Sequence, residues 1–119
     1  MNVDELSGRA LDAMVAQQVF GLHVEARVNT RTGEKDFLYA LPGGDWLRVA
    51  YYTASMAASV TVEVALQKCG WKLKTQPGEN WNGPGDVHVI LEHSDGRTVG
   101  AFGPLNEALA RAALKAVTH

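Results

Sequence analysis

The chain has 119 residues, 46% of them apolar and 20% charged, the make-up of one folded domain and not of a disordered or fibrous chain. Its 11 basic and 13 acidic residues leave a net charge of −2, and the basic ones are scattered, so no phosphate-tracking surface and no nucleic-acid partner is expected. The single cysteine, Cys69, excludes an internal disulfide, and no run approaches the roughly 18 apolar residues of a membrane span.

The opening Met1-Asn2-Val3-Asp4-Glu5 is acidic and lacks the basic start and apolar core of an export signal, so a cytoplasmic setting is expected. From Asp4 to Phe20, Leu11, Met14, Val15 and Val19 recur at the spacing of one helix face. Asp4 and Glu5 suit the positive end of that helix, and Gly21 suits a left-handed cap with Leu22 folding back. The period then drops to two. Leu22, Val24, Ala26 and Val28 are expected to face inward, and His23, Glu25, Arg27 and Asn29 outward. Thr32-Gly33 centres a turn, and Phe37 to Leu41 reads as the returning strand. Pro42-Gly43-Gly44-Asp45 then breaks regular structure, and Trp46 to Tyr52 has no clear period.

A second helix is expected to begin at Thr53 or Ser55, either of which can cap it, and to stop at Cys69 before Gly70. Ala58, Val62, Ala65, Leu66 and Cys69 form its expected buried stripe. The β-branched Val60, Val62 and Val64 weigh toward strand, but stripe, length and terminator outweigh them. Trp71, Leu73 and Thr75 alternate with Lys72 and Lys74 as a short strand, and Gln76 to Asp86 reads as the longest loop. Val87 to His93 is a strand with Val87, Val89 and Leu91 inward. Ser94-Asp95-Gly96 makes a hairpin turn to a last strand, Arg97 to Phe102, in which Gly100 marks a bulge or a close approach. Pro104 opens the final helix, where Leu105, Ala108, Leu109, Ala112, Ala113 and Ala116 give the clearest amphipathic pattern. The sum is a single α+β domain over residues 1–119, in the order α-β-β-α-β-β-β-α. Three helices would cover a mostly antiparallel sheet of about four or five strands.

Three segments carry a resemblance. Leu11-Asp12-Ala13-Met14-Val15-Ala16-Gln17-Gln18-Val19-Phe20-Gly21 looks like the opening helix of many small phage and prophage proteins. Tyr52-Thr53-Ala54-Ser55-Met56-Ala57-Ala58 looks like the start of that group's central helix. Pro104-Leu105-Asn106-Glu107-Ala108-Leu109-Ala110-Arg111-Ala112-Ala113-Leu114 looks like its last helix. Together they resemble the phage ABA sandwich domain, a family of unassigned function. The resemblance implies a three-layer α/β/α sandwich and a phage or prophage origin in a bacterial host cell, and it assigns no chemistry. Ser55 stands where the family's central motif has aspartate, so no carboxylate role carries over to that position.

The residues themselves offer little chemistry. His23, His88, His93 and His119 form no metal-binding spacing, so no metal is expected. Cys69 falls in a predicted core stripe, and Ser55, Ser59 and Ser94 have no nucleophile motif around them. Asp86, Glu92 and Asp95 read as solvated turn and strand-edge carboxylates. The glycine-rich stretches match no nucleotide-cradling pattern, so no cofactor and no catalytic residue is expected.

Aromatic residues are the informative feature. Trp46, Tyr51, Tyr52, Trp71 and Trp81 gather around the irregular segments and not in the helices. Trp81, between Asn80 and Asn82, either plugs the core or touches a partner or ligand. In the second case the binding surface combines Trp81, Tyr51, Tyr52 and Arg48. The expectation is an accessory protein that binds another protein of phage or host, and self-association is compatible with its alanine-rich helix faces. The alternative is a protein that binds or sequesters a nucleotide signal, its aromatic rings stacking the base. A small enzyme ranks third, and no membrane partner is expected.

Overall fold

The helical and two-residue periods of the sequence resolve, in a computed structural model, into three helices and two three-stranded antiparallel sheets. Residues 3, 6–28, 30–77 and 86–118 are described.

Helix α1 (Gly8–Gln18) seals Leu11 and Val15 completely, while Met14 and Val19 are half-buried. Asp12, Ala13 and Ala16 are buried as well, so the helix is enclosed on more than its apolar stripe. Gly21 takes the positive φ of +66° that the cap needs, and the Leu22 amide donates to the Ala16 carbonyl at 3.0 Å, closing the helix end.

The first sheet comprises β1 (Val24–Val28), β2 (Lys35–Ala40) and β3 (Trp46–Arg48), in that order. Val24 lies opposite Tyr39, Val28 opposite Lys35, and Leu38 opposite Arg48. Val24 is buried as expected, but Ala26 and Val28 are exposed. The reason is length. The 11 residues of α1 span only about 16 Å, and the far end of the hairpin lies beyond their cover.

Ser55 caps α2 (Met56–Lys68), its hydroxyl accepting from the Ala58 amide at 3.3 Å. The buried ridge of α2 is narrow: Ser59, Val62 and Leu66 are enclosed, whereas Met56, Val60 and Val64 are exposed. Cys69, expected inside, is exposed, because it is the residue at which the chain leaves the helix.

The second sheet comprises β4 (Trp71–Pro77), β5 (Asp86–His93) and β6 (Thr98–Pro104), with Val89 between Thr75 and Ala101. Val89, Leu91 and Ala101 are buried on strands that pack against helix α3 (Leu105–Val117), and Trp71 is buried on β4, which packs against α2. Helix α3 encloses Ala110 and Leu114 in addition to the predicted Ala108, Leu109, Ala112, Ala113 and Ala116, with Leu105 half-buried at its start, because α1 and α2 pack on the sides that the sheet does not cover. The structure thus has two separate sheets where one of four or five strands was expected. Trp46–Arg48, which has no clear period, is the added strand, and the first three strands pair only among themselves. α2 rests on α3 and β4, and α1 rests on α3, β1 and β2.

Candidate functional site

Alternation along the first sheet brings Arg27 of β1, Asp36 and Leu38 of β2, and Arg48 of β3 to its outer side. Tyr51, three residues beyond β3, joins them around a half-open hollow of about 640 Å³ that Lys35 also lines. Both arginines are already held. The Arg27 guanidinium lies 3.8 Å from the centre of the Trp46 ring and donates to Glu25 at 3.1 Å. Arg48 meets Asp36 at 3.0 Å and donates to the Tyr51 hydroxyl at 3.4 Å.

Behind these residues stands Arg9 of α1. Its guanidinium donates to Asp36 at 3.0 Å, to Asp12 at 2.9 Å, and to the carbonyls of Val49 and Ala50 at 2.7 and 3.2 Å. It also lies 4.0 Å from the centre of the Tyr51 ring, a cation–π contact that fixes the ring from below. Asp12 is 1% exposed, and its second oxygen accepts from the Thr53 amide at 2.8 Å. A chain of charges, Asp12–Arg9–Asp36–Arg48, therefore runs from the core to the hollow.

Of the four residues singled out from sequence, Arg48 and Tyr51 meet here. Tyr52 turns the other way, is buried, and stacks on Phe20 with ring centres 5.4 Å apart. Trp81 lies outside the described residues. Trp71 is a core residue, packed edge-on against His93 at 4.8 Å. Sequence reasoning missed Arg9, Arg27, Asp36 and Leu38. Arg27 had a usable signal, the outward phase of its strand. For Arg9 there was none, since nothing local indicates which way a first-turn arginine reaches.

The electrostatics follow from the contacts. Burial opposes ionisation of Asp36, but the Phe37 amide, Arg9 and Arg48 outweigh it and hold its carboxyl below the ordinary aspartate value. Glu25 is lowered by its hydrogen bonds to His23 and then Arg27, and Asp95 chiefly by the Arg97 amide. Burial pushes the Tyr52 hydroxyl up. A folded-state value below the unfolded one stabilises at pH above the unfolded value, and that contribution disappears as pH falls through the folded one. Urea unfolding should therefore show stability declining below about pH 4, with a shallower decline in Asp36→Asn. If the stability difference between the two proteins stays constant down to about pH 2.5, Asp36 is not a source of the acid sensitivity.

A second polar cluster lies where the β5–β6 turn meets the end of α2. His93 Nδ1 is 2.9 Å from Asp95, as in an oriented general base, but Nε2 is engaged with the Cys69 carbonyl at 2.8 Å. That imidazole ties the β5–β6 turn to the end of α2 and has no ring nitrogen left for a substrate. Among the described residues no three His, Cys, Asp or Glu side chains gather as a metal site, and no helix is long and apolar enough to cross a membrane. No protein-family model matches the chain, and no curated protein matches it, so its reading rests on its own residues.

Proposed function

We propose that this chain is a phage or prophage accessory protein that acts in the bacterial host cell by binding a partner protein. The outer face of the first sheet is the binding surface in this reading. What supports it most is the gathering of Arg27, Trp46, Arg48 and Tyr51 around Leu38 on one open side. Arginine, tryptophan and tyrosine are the side chains in which interface energy concentrates, because each joins a large apolar surface to a polar tip. Here they are held before any partner arrives, by Trp46, Asp36 and Arg9, so little rotamer freedom is lost on docking. A partner with carboxylates around an apolar residue matches the arginines about Leu38. The resemblance implies a three-layer α/β/α sandwich, and of that expectation the three helices and two antiparallel sheets support the α+β class.

A second reading has one observation in its favour. A hollow of about 640 Å³ is the size of a small-ligand site, and Tyr51, Arg27, Lys35 and Arg48 would suit a planar anion such as a nucleotide.

Both readings are tested with Tyr51→Ala and Arg48→Ala, which alter exposed side chains. A protein cross-linked to the wild-type chain in host lysate should bind the double variant about 30-fold more weakly, while Lys68→Ala binds normally. Equal binding by the double variant removes this face from the account. In native mass spectrometry, a small-molecule mass retained by wild type and lost in Arg48→Ala would place the second reading first.

A further inference from the structure

The outer face of the second sheet has no helix over it among the described residues, and its side chains are not those of a merely solvated surface. Alternation brings Lys72, Lys74 and Gln76 of β4, His88, Ile90 and Glu92 of β5, and Thr98, Gly100 and Phe102 of β6 to this side. Phe102 is 55% exposed, and the His88 ring lies parallel to it with centres 4.0 Å apart. Gly100 makes that arrangement possible. A Cβ there would stand 2.9 Å from His88 Nε2 and 3.2 Å from the Val89 carbonyl oxygen, so a side chain at this position would displace the imidazole. The result is a paired aromatic surface on an open sheet with a bare backbone beside it.

Cations border this surface on both sides. Lys72 and Lys74 stand on β4, roughly 10 Å from β6 at ordinary strand spacing. Along the opposite edge, Arg111 and Lys115 of α3 line a hollow of about 380 Å³ together with Gly100 and Phe102. Lys115 is held at that edge by its bond to the Gly100 carbonyl at 3.0 Å, and Arg111 by the Leu6 carbonyl at 3.1 Å and by an ion pair with Glu107 at 3.6 Å, which offsets part of its charge. Glu92 is the one acid among the described side chains of the face, and Lys74 pairs with it at 3.2 Å. Four of the 11 basic residues, scattered in the sequence, are thus brought by the fold to the borders of a stacking surface.

We infer that this face binds single-stranded nucleic acid, with a base stacked on the Phe102–His88 pair and phosphates met by Lys72, Lys74, Arg111 and Lys115. Exposed rings on an open sheet accept any base by its π-face, and flanking cations follow the backbone. A stacked duplex does not offer its bases in this way. The site is separate from the Tyr51 face and stands or falls independently of it.

The experiment is fluorescence anisotropy with labelled oligo(dT) and oligo(U) of about 20 nucleotides. Both should bind at 50 mM salt, roughly tenfold more weakly at 200 mM, and duplex of the same length should bind less well than either. Phe102→Ala, a change at an exposed position, should weaken binding about tenfold, and Lys72→Glu with Lys74→Glu should flatten the salt dependence. Circular dichroism confirms that the variants fold. Absence of binding at 50 mM salt, binding unchanged in Phe102→Ala, or duplex bound as tightly as single strands would each overturn the inference. So would a wild-type dimer, seen by light scattering, that Phe102→Ala dissociates, since a second copy would then cover the face.

Discussion

Replacing Asp12 with alanine should cost the protein about 3–5 kcal/mol, much of the roughly 5–15 kcal/mol that a domain of this size has. The carboxylate is enclosed, and both oxygens are used, one by Arg9 and one by the Thr53 amide. Without it, a half-buried guanidinium loses its closest carboxylate within α1, and the Thr53 amide loses its acceptor. Asp12→Asn is expected to fall between the two proteins, because the amide oxygen can still accept from Thr53 while the charge opposite Arg9 is gone. Urea midpoints give the comparison directly. A loss below about 1 kcal/mol for the alanine variant would mean that Arg9 is satisfied by Asp36 and the carbonyls alone.

Leu114→Ala should be of similar size, about 2–5 kcal/mol, through lost burial and the cavity left behind. Leu114 is fully enclosed in α3, and its helical neighbours Ala110 and Ala113 are too short to move into the gap. Val60→Ala is the informative contrast. Its side chain projects from α2 into solvent, so the change should lie within about 0.5 kcal/mol of zero, helped by the better helix propensity of alanine. Comparable losses at the two positions would show that α2 is covered in solution on the side that carries Val60.

Those variants separate what the sequence made legible from what it did not. Leu11 and Val15, most of the α3 stripe, and Val89 and Leu91 announce themselves, because periods of 3.6 and 2 coincide there with real burial, while Val87 and Leu105 are half-buried at the ends of their patterns. Ser55 as a cap and Gly21 as a terminator are local chemistry and equally readable. The first sheet was harder. A hairpin that extends beyond its covering helix keeps an alternating pattern, yet Ala26 and Val28 have nothing to face. Cys69 misled for a related reason, since helical spacing continues in the sequence one residue past the point where the chain turns away. The candidate site was legible only as residue types. Arg48 and Tyr51 stand three apart and meet, whereas Arg27 and Asp36 reach the hollow from separate strands and Arg9 supports it through contacts spanning up to 41 residues of chain.

Helix α2 has a consequence for handling the protein. Its segment Ser59-Val60-Thr61-Val62-Glu63-Val64 carries a valine at every second position, and the helix is anchored by the narrow ridge of Ser59, Val62 and Leu66 with Ala58 beside it. Once detached from α3 and β4, the same residues have the composition of an extended, self-pairing strand, interrupted by the single charge of Glu63. Any opening at this helix would therefore expose a template for aggregation. Heat inactivation would then be governed by how often α2 lifts away, and loss of soluble protein would rise steeply with concentration.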